Sequence, residues 1–242
     1  MEQPPALMLP AIASRQRGYL QLLTVCLLVL AAFTLPYPWS RLSTLGYLLM
    51  GLVMIRVLGN PEGDLQLGPW PRLLFRGLGV AALSVNVIWA VTPLELRRTA
   101  VPVILLWGLF SLWSAIRLVR CLALERVVNG PVLRGALAGY LMIGLAAGLL
   151  CAALETRDPH SFTNVRFSLA VPDLAQVPVW HLSFIRLQYF AFVALTTTGF
   201  GDVVPETPQA EMLSVAIAIS GTFYVAAVMA LLIARFSSQQ PP

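Results

Sequence analysis

A chain of 242 residues that is 58% hydrophobic and only 11% charged, with a mean hydropathy of +0.78, is too apolar for a water-soluble globular domain. Its net charge of +5 comes from 16 basic residues, all of them arginine, against 11 acidic ones; they are scattered along the chain, and no basic face of the kind that binds nucleic acid is visible. Cys26, Cys121 and Cys151 lie in or beside apolar runs without a partner at metal-ligand or redox-motif spacing, so they read as packing residues, with redox chemistry the lesser alternative and no cofactor called for.

Residues Met1 to Gly18 are polar and contain proline, with Arg15 and Arg17 just ahead of a first apolar run, Tyr19 to Leu35. The combination imitates a signal peptide, but the preceding tail and the further apolar runs favour a retained span. After the interfacial turn Pro36-Tyr37-Pro38-Trp39 a second span runs from about Leu42 to Leu58, and Gly59 to Pro71 is a loop. A third span covers about Leu73 to Val91 and a fourth about Thr99 to Val119, followed by a polar linker broken at Asn129-Gly130-Pro131. The fifth, about Val132 to Leu154, is rich in glycine and alanine, which suits close packing against several helices in lipid.

Residues Glu155 to Leu182 are polar and contain three prolines. Ser183 to Leu195 is apolar but only about 18 Å long as a helix, against a hydrocarbon core of about 30 Å, so it must enter and stop. Non-helical backbone at that depth is tolerated only when buried in protein or lining water. The stretch that follows is Thr196-Thr197-Thr198-Gly199-Phe200-Gly201-Asp202. Its alternate glycines can adopt backbone angles forbidden to other residues, so that successive carbonyls point the same way. Symmetric copies of such an oxygen stack would replace the hydration shell of a cation. A last span, about Met212 to Phe236, completes six, and with the N-terminus inside the arginines divide ten inside to six outside, as the positive-inside rule prefers.

Residues 196–202 resemble the signature of potassium channels, usually Thr-Thr-Val-Gly-Tyr-Gly-Asp, with Pro205 where many members have proline. The resemblance extends over about Val132 to Ser237 and to the count of six spans, that of the voltage-gated-like superfamily. It implies an all-α polytopic membrane protein: six transmembrane helices, a re-entrant pore helix and a selectivity filter, assembled as a homotetramer around K+. The expected divisions are a cytoplasmic tail over 1–18, a four-helix domain of the voltage-sensor type over 19–131, a pore domain over 132–236 and a cytoplasmic tail over 237–242. Within the pore domain the turret is 155–182, the pore helix 183–195 and the filter 196–202. The carbonyls of Thr197, Thr198, Gly199 and Phe200 would ligate K+, with the Thr197 hydroxyl completing the innermost site. Gly201 would permit the turn at the mouth, and Thr196 and Asp202 would support the filter. Two positions depart from the family: Thr198 replaces Val or Ile and places a polar group behind the filter, and Phe200 replaces Tyr and loses a bracing hydroxyl. Phe occurs there in other potassium channels, so the departures bear on stiffness and inactivation more than on the ion.

Tyr189 and Phe190 match aromatics that buttress the filter in the family, and core or lipid-facing packing is the competing reading. Gly221 stands at the family's hinge glycine, or is simply a small residue permitting close helix contact. Arg186 reads as interfacial or salt-bridged. A voltage sensor needs arginines at three-residue spacing within a span. Arg117, Arg120 and Arg126 are in phase, but Ala123 interrupts them, Ser114, Ser111 and Gly108 precede them, and spans two and three carry no acids. They read as inside anchors, with a degenerate sensor as the alternative. His160 and His181 are surface residues or pH sensors. Gly199-Phe200-Gly201-Asp202 also fits intramembrane aspartyl proteases, but the second aspartate that chemistry needs is missing from the spans. A poorly selective cation channel and a non-conducting subunit are further alternatives. The expectation is therefore a K+ channel, not an enzyme, in the plasma membrane of the cell with both termini cytoplasmic. It is weakly or not voltage-gated, and gating depends on spans, filter, lipid or a separate regulatory subunit.

Overall fold

The structure is a computed structural model and describes residues 8–35, 42–59, 69–91, 101–123, 125, 128–165 and 183–238. Among these, regular structure is helical apart from one bridge between Phe162 and Pro205. The helices are α1 (Met8–Ala32), α2 (Leu42–Leu58), α3 (Pro69–Val91), α4 (Val101–Ala123), α5 (Gly130–Arg157), α6 (Phe184–Leu195) and α7 (Pro208–Phe223). A π-helical segment, Tyr224–Met229, joins α7 to α8 (Ala230–Ser238).

Four helices are long and apolar enough to cross a membrane: Trp70–Ile88, Val101–Ala123, Gly130–Arg157 and Pro208–Arg235. The apolar stretches Gln16–Ala32 of α1 and Leu45–Leu58 of α2, the first two of the six expected spans, are shorter than that among the described residues. At 1.5 Å per residue, about 30 Å needs about 20 residues, whereas α2 has 17.

Several boundaries differ from the sequence reading because local chemistry extends the helices. Helix α1 begins at Met8, within the stretch read as a tail; its Pro10 falls in the first turn, where no helical N–H is needed. Pro69 likewise opens α3, which starts ahead of Leu73. Asn129 does not merely break the linker: its Oδ1 accepts from Val132 N at 3.3 Å and its carbonyl accepts from Leu133 N at 3.1 Å, starting α5 at Gly130. Thr207 caps α7 by accepting from Ala210 N, with Pro208 following. Further along α7 the hydroxyls of Ser214, Ser220 and Thr222 bond back to carbonyls four residues earlier. Such bonds compete with the helical ladder and favour bending; the ladder widens into the π segment just beyond.

The chain divides into two compact units. The first comprises Met1–Leu83, Trp113–Met142 and Val225–Pro242. In it α1 and α2 pack antiparallel, Gly18 against Val57 at one end and Gly46 against Val29 at the other. Tyr19 is buried with its ring on Gly135, and its hydroxyl donates to Glu125 Oε1 at 2.9 Å. Arg117 is 5% exposed; its guanidinium lies 4.6 Å from the centre of the Phe75 ring and donates to the Pro71 carbonyl at 3.4 Å.

The second unit comprises Ser84–Leu112 and Ile143–Tyr224. Here glycines fix the place of α6 from two sides. A Cβ at Gly144 would overlap the Phe192 ring, and one at Gly148 the Gln188 amide. Gln188, 2% exposed, donates from Nε2 to the Gly144 carbonyl at 2.9 Å, which satisfies a polar group that is costly to bury unpaired. On the other side, a Cβ at Gly221 of α7 would land on the Leu195 carbonyl oxygen.

Candidate functional site

Helix α6 has 12 residues, is capped at Ser183, whose Oγ accepts from Arg186 N at 3.3 Å, and ends at Thr196 with φ −84° and ψ −2°. Over the next five residues the backbone alternates. Thr197, Gly199 and Gly201 have φ of +57°, +62° and +78°, while Thr198 and Phe200 between them do not enter the positive region. A left-handed residue followed by an ordinary one turns successive peptide planes the same way, so the segment is suited to presenting carbonyls on one side. The glycines meet the steric demand at two positions; at Thr197 a residue with a Cβ carries it. A Cβ at Gly199 or Gly201 would meet nothing within 4 Å, so conformation, not crowding within this chain, explains them.

The threonine hydroxyls are hydrogen-bonded within this stretch and to the end of α6. Thr196 Oγ1 donates to Phe192 O at 2.8 Å and lies 2.8 Å from Thr198 Oγ1; since Thr196 has one hydroxyl proton, Thr198 is the donor in that pair. The polar group that Thr198 introduces is therefore partnered. Thr197 Oγ1 donates to Thr196 O at 2.7 Å.

Phe200 stacks on Tyr189, ring centres 6.4 Å apart and planes 4° from parallel, an offset arrangement that aromatic rings favour. Tyr189 also donates its hydroxyl to Asp202 Oδ1 at 3.2 Å. Lost hydration first, then that hydrogen bond and the Asp202 charge, raise the Tyr189 phenol above its ordinary value of 10.0, with Arg186 opposing. Phe190 points elsewhere: it is buried and packs on Phe162, 5.0 Å between centres. The two adjacent aromatics thus have different neighbours, Tyr189 the 196–202 stretch and Phe190 the loop after α5.

That loop opens the stretch read as the turret, 155–182, but its hydrogen-bond partners are not foreseen from the sequence. Glu155, buried at the end of α5, accepts from His160 N and Phe162 N, both at 3.0 Å. The chain then pairs with the segment after Asp202: Thr163 N donates to Val204 O at 2.9 Å, Val204 N to Thr163 Oγ1 at 2.9 Å, and Glu206 N to Ser161 O at 2.8 Å. Asn164, with φ +54°, donates from Nδ2 to the Asp202 carbonyl at 3.0 Å. Its own carbonyl accepts from Arg186 Nη1 at 2.7 Å, so Arg186 serves the loop backbone. Glu155 and Asn164 carry no local pattern that announces these partners; only the tolerance of Asn for positive φ hints at a tight turn there.

Gly221 touches the end of α6, three residues before the π segment. Arg117 is buried and Arg120 exposed, while Arg126 lies outside the described residues. The positions in phase ahead of Arg117, namely Gly108, Ser111 and Ser114, are buried, and a Cβ at Gly108 would press on Leu150 at 3.1 Å. His160 is exposed, and His181 lies outside the described residues. Asp202 and Asp158 are exposed; Asp64 and Asp173, the other aspartates weighed for protease chemistry, are outside the described residues. Among the described residues no cluster of His, Cys, Asp or Glu has metal-binding geometry.

A protein-family model described as ion channel matches residues 162–238. The match takes in the paired loop, α6, the 196–202 stretch and α7 through α8. No curated protein and no solved structure matches the chain. With four helices fit to cross a membrane, the family match supports ion transport by a multi-pass membrane protein over catalysis.

Proposed function

We propose that the chain is a potassium channel subunit that conducts K+ passively across the plasma membrane through a homotetrameric pore, with little or no voltage gating. The observation that carries the reading is the alternating left-handed backbone at Thr197, Gly199 and Gly201, directly after a helix too short to cross. One copy offers one stack of oxygens, and stripping the water from a cation takes a ring of them. Cyclic symmetry supplies that ring, and four copies are the assembly implied by the resemblance of the motif. K+ would be held by the carbonyls of Thr197, Thr198, Gly199 and Phe200 and by the Thr197 hydroxyl. The negative end of α6 would favour a cation in the cavity beneath them.

Weak voltage dependence follows from α4. A charge crossing the full field is worth about 2.3 kcal/mol per 100 mV, but the positions in phase ahead of Arg117 are small, uncharged and buried, and Gly108 packs tightly on Leu150. Six spans are retained in this reading, α1 and α2 crossing with the help of flanking polar groups or local thinning of the bilayer. Both termini are cytoplasmic.

The test is reconstitution of the purified protein in liposomes fused to planar bilayers. A reversal potential that follows the K+ gradient over the Na+ gradient is expected. A potential blind to the difference refutes K+ selectivity and leaves the poorly selective cation channel; absence of current in a protein that is folded leaves the non-conducting subunit. Proteolysis abolished by Asp202→Ala is the outcome that restores the protease reading.

A further inference from the structure

Residue 202 is held twice, by two different parts of the chain. The Asp202 carboxylate accepts from Tyr189 on α6, and its carbonyl accepts from Nδ2 of Asn164 in the loop after α5. Asn164 is held in turn, because Arg186, one turn ahead of Tyr189 on α6, donates to the Asn164 carbonyl at 2.7 Å. Ser183 N donates to Val165 O at 2.7 Å, fixing the next residue of the loop to the cap of the same helix. The paired strands of backbone at 161–163 and 204–206 close the frame from the other side.

The chemistry at 164 is specific. The residue has φ +54°, which Asn and Gly accept most readily, and it must also offer an N–H donor to a carbonyl. Glycine meets the first demand only, and aspartate fails the second by turning an oxygen toward an oxygen. Immediately before Asp202 is Gly201, at φ +78°, where an added Cβ would meet nothing within 4 Å. It shares with Gly199 the freedom to turn that a missing Cβ gives, and its peptide is the one joined to Asp202.

Resting on the channel reading, we propose that Asn164 is a positioning residue for the outer end of the ion pathway, and that Arg186 acts through it. The Nδ2 bond holds the Asp202 backbone, which limits rotation of the Gly201–Asp202 peptide and keeps the outermost carbonyls in their conducting orientation. Losing the bond speeds passage to a non-conducting arrangement of the filter without altering which ion passes.

The experiment uses the full chain in planar bilayers, comparing wild type with Asn164→Asp, Asn164→Gly, Arg186→Lys and Arg186→Met. Asn164→Asp and Asn164→Gly are expected to raise the rate of current decay, or lower the steady open fraction, by about three- to tenfold, the range for one hydrogen bond at an accessible site. Reversal potential and unitary conductance stay at wild-type values. Arg186→Met shifts the same way, and Arg186→Lys, which keeps a cationic donor, stays close to wild type. Raising external K+ slows the decay in the Asn164 variants, because an ion in the outermost site opposes the peptide rotation; a loop that had simply misfolded would not respond to K+. Wild-type decay in Asn164→Asp, or accelerated decay indifferent to external K+, overturns the proposal while K+ current persists. A wild-type protein that passes no K+ overturns the channel reading itself, and this proposal with it.

Discussion

The hydroxyl pair of Thr196 and Thr198 gives a direct measure of how a threonine is accommodated at 198. Thr198 donates to Thr196, and Thr196 donates to Phe192 O, each at 2.8 Å. Thr198→Val removes a donor and leaves Thr196 still bonded to α6, so the loss is the net value of one hydrogen bond, about 0.5–1.5 kcal/mol. Thr196→Val removes both links and leaves the Thr198 proton without its acceptor, so it costs more, about 1–3 kcal/mol. Valine also adds a methyl group in each case, so single variants mix packing with hydrogen bonding. The double-mutant cycle isolates the pair. Its coupling is expected at about 0.5–1.5 kcal/mol in the equilibrium between conducting and non-conducting filters, a factor of about 2 to 13. Single-channel open fractions of the four proteins, recorded at fixed K+ and voltage, give that number. Additive single effects, with no coupling, refute the hydroxyl chain as a brace.

Three further expectations can be checked together. Gly148→Ala drives a methyl group into the Gln188 amide and should lower stability by about 1–3 kcal/mol in thermal unfolding in detergent; Gly77→Ala, where a Cβ meets nothing within 4 Å, should be neutral or stabilising by up to about 1 kcal/mol. Equal losses for both would show that α6 is not seated on Gly148. Tyr189→Phe keeps the stacking on Phe200 but loses the donor to Asp202, and current decay should accelerate by about two- to tenfold. With the Tyr189 phenol raised above its ordinary 10.0, its proton, and the bond it donates, is present below that value and lost only as pH rises past the raised one, so decay in the wild type should be flat across neutral external pH. Arg117→Gln removes a guanidinium seated on Phe75, an interaction worth about 0.5–2 kcal/mol; the slope of open probability against voltage should not change, and a shallower slope would identify Arg117 as a gating charge.

The sequence was most informative where a single residue type answers a single physical demand. Alternate glycines announce positive φ, and the structure has it at Gly199 and Gly201; a dozen apolar residues announce a helix that stops short, and α6 does. Thr197 was not legible in this way, because nothing in a threonine signals that it will share the conformation of its glycine neighbours. The apolar runs located the helices to within a few residues except at the start of α1, which begins at Met8, well ahead of Tyr19; the smaller errors fell where caps and first-turn prolines act, at Pro69 and Asn129. The loop frame was invisible, since Asn164 and Asp202 are 38 positions apart and hydrogen bonds between distant polar residues leave no periodicity. Arg117 reads from its position as an anchor at the end of a span, and its burial against Phe75 depends on α3, which no local window contains. The π segment likewise has no compositional signature in Tyr224–Met229.

Gly221 and the Leu195 carbonyl meet backbone to backbone, with no side chain between them. Ordinary helix contacts run through rotatable side chains, which absorb small displacements by changing rotamer before the neighbouring main chain has to move. Here there is no such slack: any sideways motion of α7 at this level is delivered to the last carbonyl of α6, one residue ahead of the threonines. The close-packed interior then leaves that carbonyl little room to yield. A bend in the long helix and the setting of the 196–202 backbone are in this way two readings of one mechanical coordinate.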